Sequence, residues 1–479
     1  MNIKAIFYNI GNLLKVEAGL LTLPLIVSFI YHDGNYFAFL IPILLLLTIG
    51  FLVTAKRKPD QKIYAKEGFV IVGLSWIIMS LFGALPFYIS REIPSFINAF
   101  FETASGFTTT GATILTDIEA LSYSLLFWRG FTHWIGGMGI LVFVLAFMPN
   151  TKAHSIYIMK AESSGPQVGK IVSKVKITAQ ILYFIYIALT IIEIIFLLFK
   201  MPLYDSVTHA FATAGTGGFS IKNASIAYYD SVYIETVITV FMFLFGINFT
   251  VFYLILIGNV KQAIKSEEFR WYFIIAIVAI TLVTINCYSM YGSFGRTLRY
   301  SSFQVISVMT CTGFSTFNFN IWPMFSKTLL IILMMIGACA GSTGGGLKIS
   351  RVIIYIKMIV KEIKYSIHPR QMTAVTFDKK PVDESILKGI SHFLIAYISI
   401  LLIGMLILSL DGYSFTTNFT AVVTCFSNCG PGLDAVGPVE NYSSFSVLSK
   451  LVLTFVMLAG RLEIFPMLIL FTPRMWKYR

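Results

Sequence analysis

"SGFTTTGAT", Ser105–Thr113, sits between a short amphipathic piece, "PSFINAFFETASG", and a long apolar stretch. The same order recurs three more times. The pieces "YDSVTHAFATAG", "LRYSSFQVISVM" and "FTTNFTAVVTCF" lead into the clusters "GTGGFS" from Gly215, "TCTGFS" from Thr310 and "SNCGPG" from Ser427. Laid over "TTTGAT" from Thr108, each cluster puts a glycine at the same place: Gly111, Gly218, Gly313 and Gly430. One such cluster would be an ordinary turn. Four in register are an architectural repeat.

The surroundings are membrane. The chain of 479 residues is 57% hydrophobic and only 12% charged, with mean hydropathy +0.79; soluble domains carry about 25% charged residues. Apolar stretches of about 20 residues recur from end to end, so no large soluble domain fits between them. Residues 5–30 lack a small-residue cleavage site and run into a second span, which argues for a retained helix over a signal peptide. The short pieces, about a dozen residues each, cannot cross roughly 30 Å of hydrocarbon at about 1.5 Å per residue. They are expected to be re-entrant.

The net charge of +13 reports topology and not a nucleic-acid partner. Cations gather in alternate loops, as at Lys56–Lys66, Lys152–Lys176, Lys261–Arg270 and Lys357–Lys380, while Glu92, Asp117, Glu119, Asp230, Asp434 and Glu440 occupy the others. The positive-inside rule makes the basic loops and both termini cytoplasmic, with the re-entrant pieces outside. Five cysteines, an odd number in or beside apolar stretches, argue against a disulfide framework, and no spacing suggests zinc.

The expected fold is therefore an all-α membrane protein. Two N-terminal transmembrane helices, roughly 3–31 and 36–55, lie within residues 1–66. Four units of span, pore loop and span follow at 67–175, 176–269, 270–384 and 385–479, around a pseudo-fourfold pore. Glycine permits positive φ, so consecutive carbonyls can point one way. Four loops on one axis then offer rings of oxygens that replace an ion's hydration shell. Each short helix adds the negative end of its dipole, roughly half an electron charge. Packing glycines are the alternative, but those repeat every four residues on long spans.

A second interruption lies at "GACAGSTGGGLK", Gly337–Lys348, between two apolar stretches. Broken backbone at that depth needs protein or water partners. A phosphate-binding loop would want G-x-x-x-x-G-K, but Leu347 intervenes and no strand precedes it. A plain kink or an intramembrane gate remain, and a loose loop beneath a filter suits a gate. Its residues are Gly341, Ser342, Thr343, Gly344, Gly345 and Gly346. Arg461, in "VMLAGRLEIFP", is an arginine within a span and functional by default; it lines the pore or pairs structurally. Glu463, two residues on, does not share its helix face. Arg129, His133, Glu102 and His209 are expected to organise packing and filter contacts, and Arg270 and Trp271 of "FRWY" to snorkel or meet a partner.

With "WIGGMGI" (Trp134–Ile140), "ATAGTGGFS" (Ala212–Ser220), "GSTGGGLK" (Gly341–Lys348) and "NCGPGL" (Asn428–Leu433), the chain resembles the Trk/Ktr/HKT superfamily of potassium transporters, TrkH-type subunits in particular, over nearly its whole length. The resemblance implies potassium uptake across a bacterial inner membrane by a homodimer. It also implies a cytoplasmic TrkA-like ring that alone binds nucleotide, no covalent cofactor, and potassium held by backbone carbonyls. The implied filter is Thr109, Thr110 and Gly111; Thr216, Gly217 and Gly218; Cys311, Thr312 and Gly313; Asn428, Cys429 and Gly430. Family members also carry a gating loop at Gly337–Lys348 and a basic barrier matching Arg461. Pro431 and Gly432 depart from the other loops, so the fourth loop is expected to differ in geometry. One aligned glycine per loop suggests a short filter that excludes sodium less strictly than potassium channels with two.

Other classes fit less well. No nucleophile–base pair or His/Asp/Glu cluster suggests an enzyme. A sodium- or proton-coupled symporter also breaks its helices, but usually shows inverted repeats; these four share one orientation. Docking of the ring is expected on Thr151–Lys174 and Lys357–Lys388, from their length and side.

Overall fold

The computed structural model describes residues 1–55, 64–139, 175–369 and 374–473. Among them, regular structure is helical apart from one hairpin pairing Thr376–Phe377 with Lys380–Pro381. Six described helices are long and apolar enough to cross a bilayer. Two come first, Ile3–Tyr31 and Tyr36–Ala55. The others are Lys66–Ile89, Ile177–Leu197, Glu267–Tyr291 and Glu384–Asp411, each leading toward one short amphipathic helix.

Burial sorts these spans. Only about a third of the most apolar stretch of Ile177–Leu197 (33%), Glu267–Tyr291 (28%) and Glu384–Asp411 (33%) is buried, so their apolar outer faces lie open on the chain's surface, as a membrane span requires. Lys66–Ile89 is 61% buried because the N-terminal pair covers it: Leu13, Leu14, Phe39 and Leu46 share one core with Trp76, and the Asn2 amide donates to Glu67 (3.0 Å).

The four short pieces form the pore helices Phe96–Phe107, Leu203–Ala214, Phe294–Met309 and Phe415–Ser427. Serine hydroxyls cap the first and last, Ser95 accepting from the Asn98 amide and Ser414 from the Thr417 amide.

The spans after the loops differ from expectation. The third, Met324–Ile336, stops where Gly337–Lys348 was expected to interrupt it; but the other three, Tyr123–Gly137, Val232–Phe245 and Val447–Arg461, are half-helices too, and the four have 13, 15, 14 and 15 residues in that order. Each is about 20–22 Å long and stops inside the protein. The second turns by 90° into Phe249–Leu256. The third ends at Gly337 (φ 74°), and after the fourth the chain reverses through Glu463 (φ 59°) and Ile464 (φ 66°). Four sets of terminal carbonyls are thereby left at depth, where each needs a donor.

Candidate functional site

Every pore helix ends in the same turn. Thr109, Thr216, Cys311 and Asn428 take left-handed φ of 55°, 52°, 58° and 53°. The next amide in each case returns to the carbonyl five residues back: Thr110 to Ser105 (2.9 Å), Gly217 to Ala212 (2.9 Å), Thr312 to Ser307 (2.8 Å) and Cys429 to Thr424 (2.9 Å). This is the six-to-one bond of a Schellman cap. Two residues past each left-handed position stand Gly111, Gly218, Gly313 and Gly430, with φ of 78°, 74°, 83° and 89°. The fourth loop thus shares the positive-φ turn through Gly430 despite Pro431 and Gly432, and Pro431 itself packs against the ring beside Gly313.

The turns close on one another. A methyl carbon placed on Gly111 would lie 2.0 Å from the Gly217 carbonyl oxygen; on Gly218, 2.0 Å from that of Thr312; on Gly313, 2.1 Å from that of Cys429; on Gly430, 2.8 Å from that of Thr110. Loop one meets two, two meets three, three meets four and four meets one, always through the same pair of positions. That is a pseudo-fourfold ring of backbone, with four helix C-termini ending at it.

Buried side chains brace the ring from behind. Glu102 accepts from the Thr113 hydroxyl and the Ile114 amide (2.9 Å each), fixing the strand that climbs out of loop one. Arg129 neutralises it (Nε to Oε1 2.7 Å) and donates to the Ser220 carbonyl of loop two (2.7 Å). At the place equivalent to Glu102, His209 reaches the Ser220 hydroxyl with Nε2 (2.9 Å). His133 Nδ1 lies 2.8 Å from the Gly106 carbonyl. Asn428 donates to the Thr110 hydroxyl (2.9 Å), tying loop four to loop one. Each of these side chains is engaged with a loop or with the pore helix leading into it.

Beneath the ring, Gly337–Lys348 folds against the ends of the half-helices and pore helices. The Cys339 amide donates to the Gly246 carbonyl (3.1 Å) and the Gly346 amide to that of Ser427 (3.0 Å); the Thr343 hydroxyl donates to the Phe245 carbonyl (3.2 Å). Gly345 sits so close to pore helix four that a methyl carbon on it would lie 1.8 Å from the Ser427 carbonyl oxygen. Arg461 completes the arrangement, donating to the carbonyls of Thr343 (2.8 Å), Gly136 (2.6 Å) and Gly137. The segment therefore touches repeats two, three and four directly and repeat one through Arg461. Glu463 pairs with Arg351, as the helix geometry of Arg461 and Glu463 allowed. Lys348, weighed in the sequence only as the lysine of a phosphate loop, is buried at φ 78° and its ammonium donates to the Gly344 carbonyl. In "FRWY" it is Tyr272 that turns inward, donating to the Phe243 carbonyl (3.0 Å), while Arg270 and Trp271 are exposed.

A helical, multi-span membrane protein in which four re-entrant loops close a ring is a pore-loop protein. The chain belongs to the TrkH family, whose model, described as a cation transport protein, matches residues 36–478. It is 36% identical to the "Trk system potassium uptake protein TrkH" of Salmonella typhimurium across 100% of both chains. With TrkG of Escherichia coli it shares 32% identity over 95% of this chain and 94% of that one. The crystal structure of the potassium transporter TrkH from Vibrio parahaemolyticus matches with a TM-score of 0.90 at 31% identity, covering 100% of each chain.

Proposed function

We propose that the chain carries potassium into the cell through the four-loop ring, by a channel-like route across a bacterial inner membrane with both termini cytoplasmic. The observation that carries this reading is the ring itself: four alike backbone turns in cyclic contact. Carbonyls of Thr109–Gly111, Thr216–Gly218, Cys311–Gly313 and Asn428–Gly430 stand in for water around the ion. Four pore-helix C-termini favour a cation with no formal charge at the centre. Binding is then loose enough for release, and a negative-inside potential supplies about 2.3 kcal/mol per charge per 100 mV.

In this reading Gly341–Gly346 is the gate and Arg461 its electrostatic lock. A segment bonded to repeats two and four, and tied to repeat one by Arg461, is well placed below a fourfold ring to obstruct the path. The names of the relatives, Trk system potassium uptake proteins, support potassium as the ion. The chain works as a homodimer, and a cytoplasmic ring that binds nucleotide moves the gate. Of the two docking stretches, Thr151–Lys174 lies outside the described residues. The test is potassium-limited growth of an uptake-deficient bacterium carrying this chain, with and without a TrkA-like ring. Rescue that needs the ring supports the reading; no rescue under either condition contradicts it.

A further inference from the structure

Both ends of the glycine-rich segment and the cytoplasmic hairpin meet at two neighbouring glutamates. Glu268 is buried in the first turn of Glu267–Tyr291. One of its carboxylate oxygens accepts from the Ala340 amide (2.7 Å) and from the Ser350 amide (3.2 Å). Its other oxygen faces Asn248 Nδ2 (3.5 Å). Ala340 lies within the segment and Ser350 just past its end, so one carboxylate clasps the entry and the exit. Asn248 stands in the break of the second repeat's half-helix, where the Phe249 amide also donates to the Gly341 carbonyl (3.0 Å).

Glu267 points the other way. Its amide donates to the Asp378 carboxylate (2.7 Å), and the Asp378 amide donates back to the Glu267 carboxylate (3.3 Å). Lys357 pairs with the same glutamate and donates to the Thr376 carbonyl (2.8 Å). Asp378 and Lys379, at φ 47° and 63°, form the two-residue turn of the hairpin, the primed geometry that suits a tight hairpin. The hairpin tip therefore caps the helix whose second residue holds the segment. Without that cap a first-turn amide is orphaned and the turn frays, taking Glu268 with it.

We propose that Glu268 is a positioning residue that latches the gate shut, and that the Asp378 hairpin is the handle by which a cytoplasmic partner releases it. The proposal rests on the reading of Gly337–Lys348 as a gate. It assigns the hairpin, among all of Lys357–Lys388, as the place where force enters.

The test is rubidium flux into proteoliposomes holding the full chain without any partner, normalised to inserted protein. Glu268→Ala removes two charge-assisted bonds and should raise flux about tenfold or more. Glu268→Gln keeps an acceptor for both amides and should raise it less. Asp378→Ala should raise flux modestly, and the double variant Asp378→Ala/Glu268→Ala should match Glu268→Ala alone, because both act through one latch. A merely structural glutamate would change the amount of inserted protein and leave flux per molecule unmoved. That outcome, or effects that add in the double variant, overturns the proposal. Should Glu268→Ala fail to insert, Glu268→Gln with and without Asp378→Ala makes the same comparison under the same criteria. A deletion within Gly341–Gly346 separates the two ideas. If it leaves flux unchanged, the gate reading falls; if it raises flux while Glu268→Ala does not, only the latch falls.

Discussion

Alanine at each of the four ring glycines should damage ion selectivity in an order that the structure sets. All four sit at positive φ, where an L-residue costs about 1–2 kcal/mol, so backbone strain does not rank them. Contact does. A methyl carbon at Gly218 must drive the Thr312 carbonyl back by roughly 1.4 Å to reach ordinary contact at 3.4 Å; Gly111 demands the same of the Gly217 carbonyl, and Gly313 nearly as much of Cys429. At Gly430 the retreat is only roughly 0.6 Å. Thermal displacement in a well-ordered structure is about 0.5 Å per axis. At Gly430 the Thr110 and Gly111 backbone must still give way, but by an amount close to normal motion, whereas the other three sites demand more than twice that.

A displaced carbonyl is lost to the ion. By analogy with a hydrogen bond to a charged group, that loss is worth about 1.5–3 kcal/mol, a ten- to hundredfold drop in preference at about 1.4 kcal/mol per decade. The assay is the ratio of rubidium to sodium uptake by proteoliposomes containing each variant. Gly111→Ala, Gly218→Ala and Gly313→Ala should lose most of the wild-type preference, and Gly430→Ala should keep much of it. Equal damage at all four sites, or Gly430→Ala as the worst, would refute the steric argument.

Other perturbations separate the remaining parts. Gly345→Ala forces a methyl against the Ser427 carbonyl and should raise partner-free rubidium flux severalfold, read in the same vesicles. Arg461→Ala removes the donor shared by Thr343, Gly136 and Gly137; flux per molecule should rise, whereas loss of protein from the membrane would point to a purely structural role. Glu102→Gln leaves Arg129 as an uncompensated buried charge, and breaking such a pair costs roughly 3–5 kcal/mol; thermal unfolding in detergent should show the loss, and Arg129→Gln in the same chain should restore part of it. Burial raises the Asp33 carboxyl, but bonds from the Ser28 hydroxyl and the Ser124 and Asn35 amides outweigh it and hold it below the ordinary aspartate value. Its stabilisation is thus present above the unfolded pKa and lost as pH falls through the folded one; Asp33→Asn should flatten that acid limb of the melting-temperature profile.

The ring glycines were legible in the sequence because positive φ at a fixed register leaves glycine as the natural residue, and the repeat exposed the register. Their left-handed predecessors were not. Thr109, Thr216, Cys311 and Asn428 share no side-chain chemistry, and threonine and cysteine rarely occupy that region; the cap geometry imposes it. The half-helix breaks other than the one at Gly337 escaped for a related reason. "FLFGINFT" and "LAGRLEIF" read as continuous span, the second with a charge inside it, since a break at depth needs only that its carbonyls find donors, and the donors come from far away in sequence. Arg461 was visible as a misplaced charge, but its acceptors, carbonyls of Gly136, Gly137 and Thr343, carry no residue signature. Glu268 was invisible, lying at a span end where acidic residues are commonplace.

The proposed transport rests above all on backbone carbonyls of four loops converging on a single dehydrated cation. Anomalous scattering from crystals of the chain grown in rubidium measures that convergence directly. Density is expected on the axis enclosed by Thr110, Gly217, Thr312 and Cys429, and none when sodium replaces rubidium. Rubidium bound elsewhere, with that ring empty at saturating concentration, would contradict it.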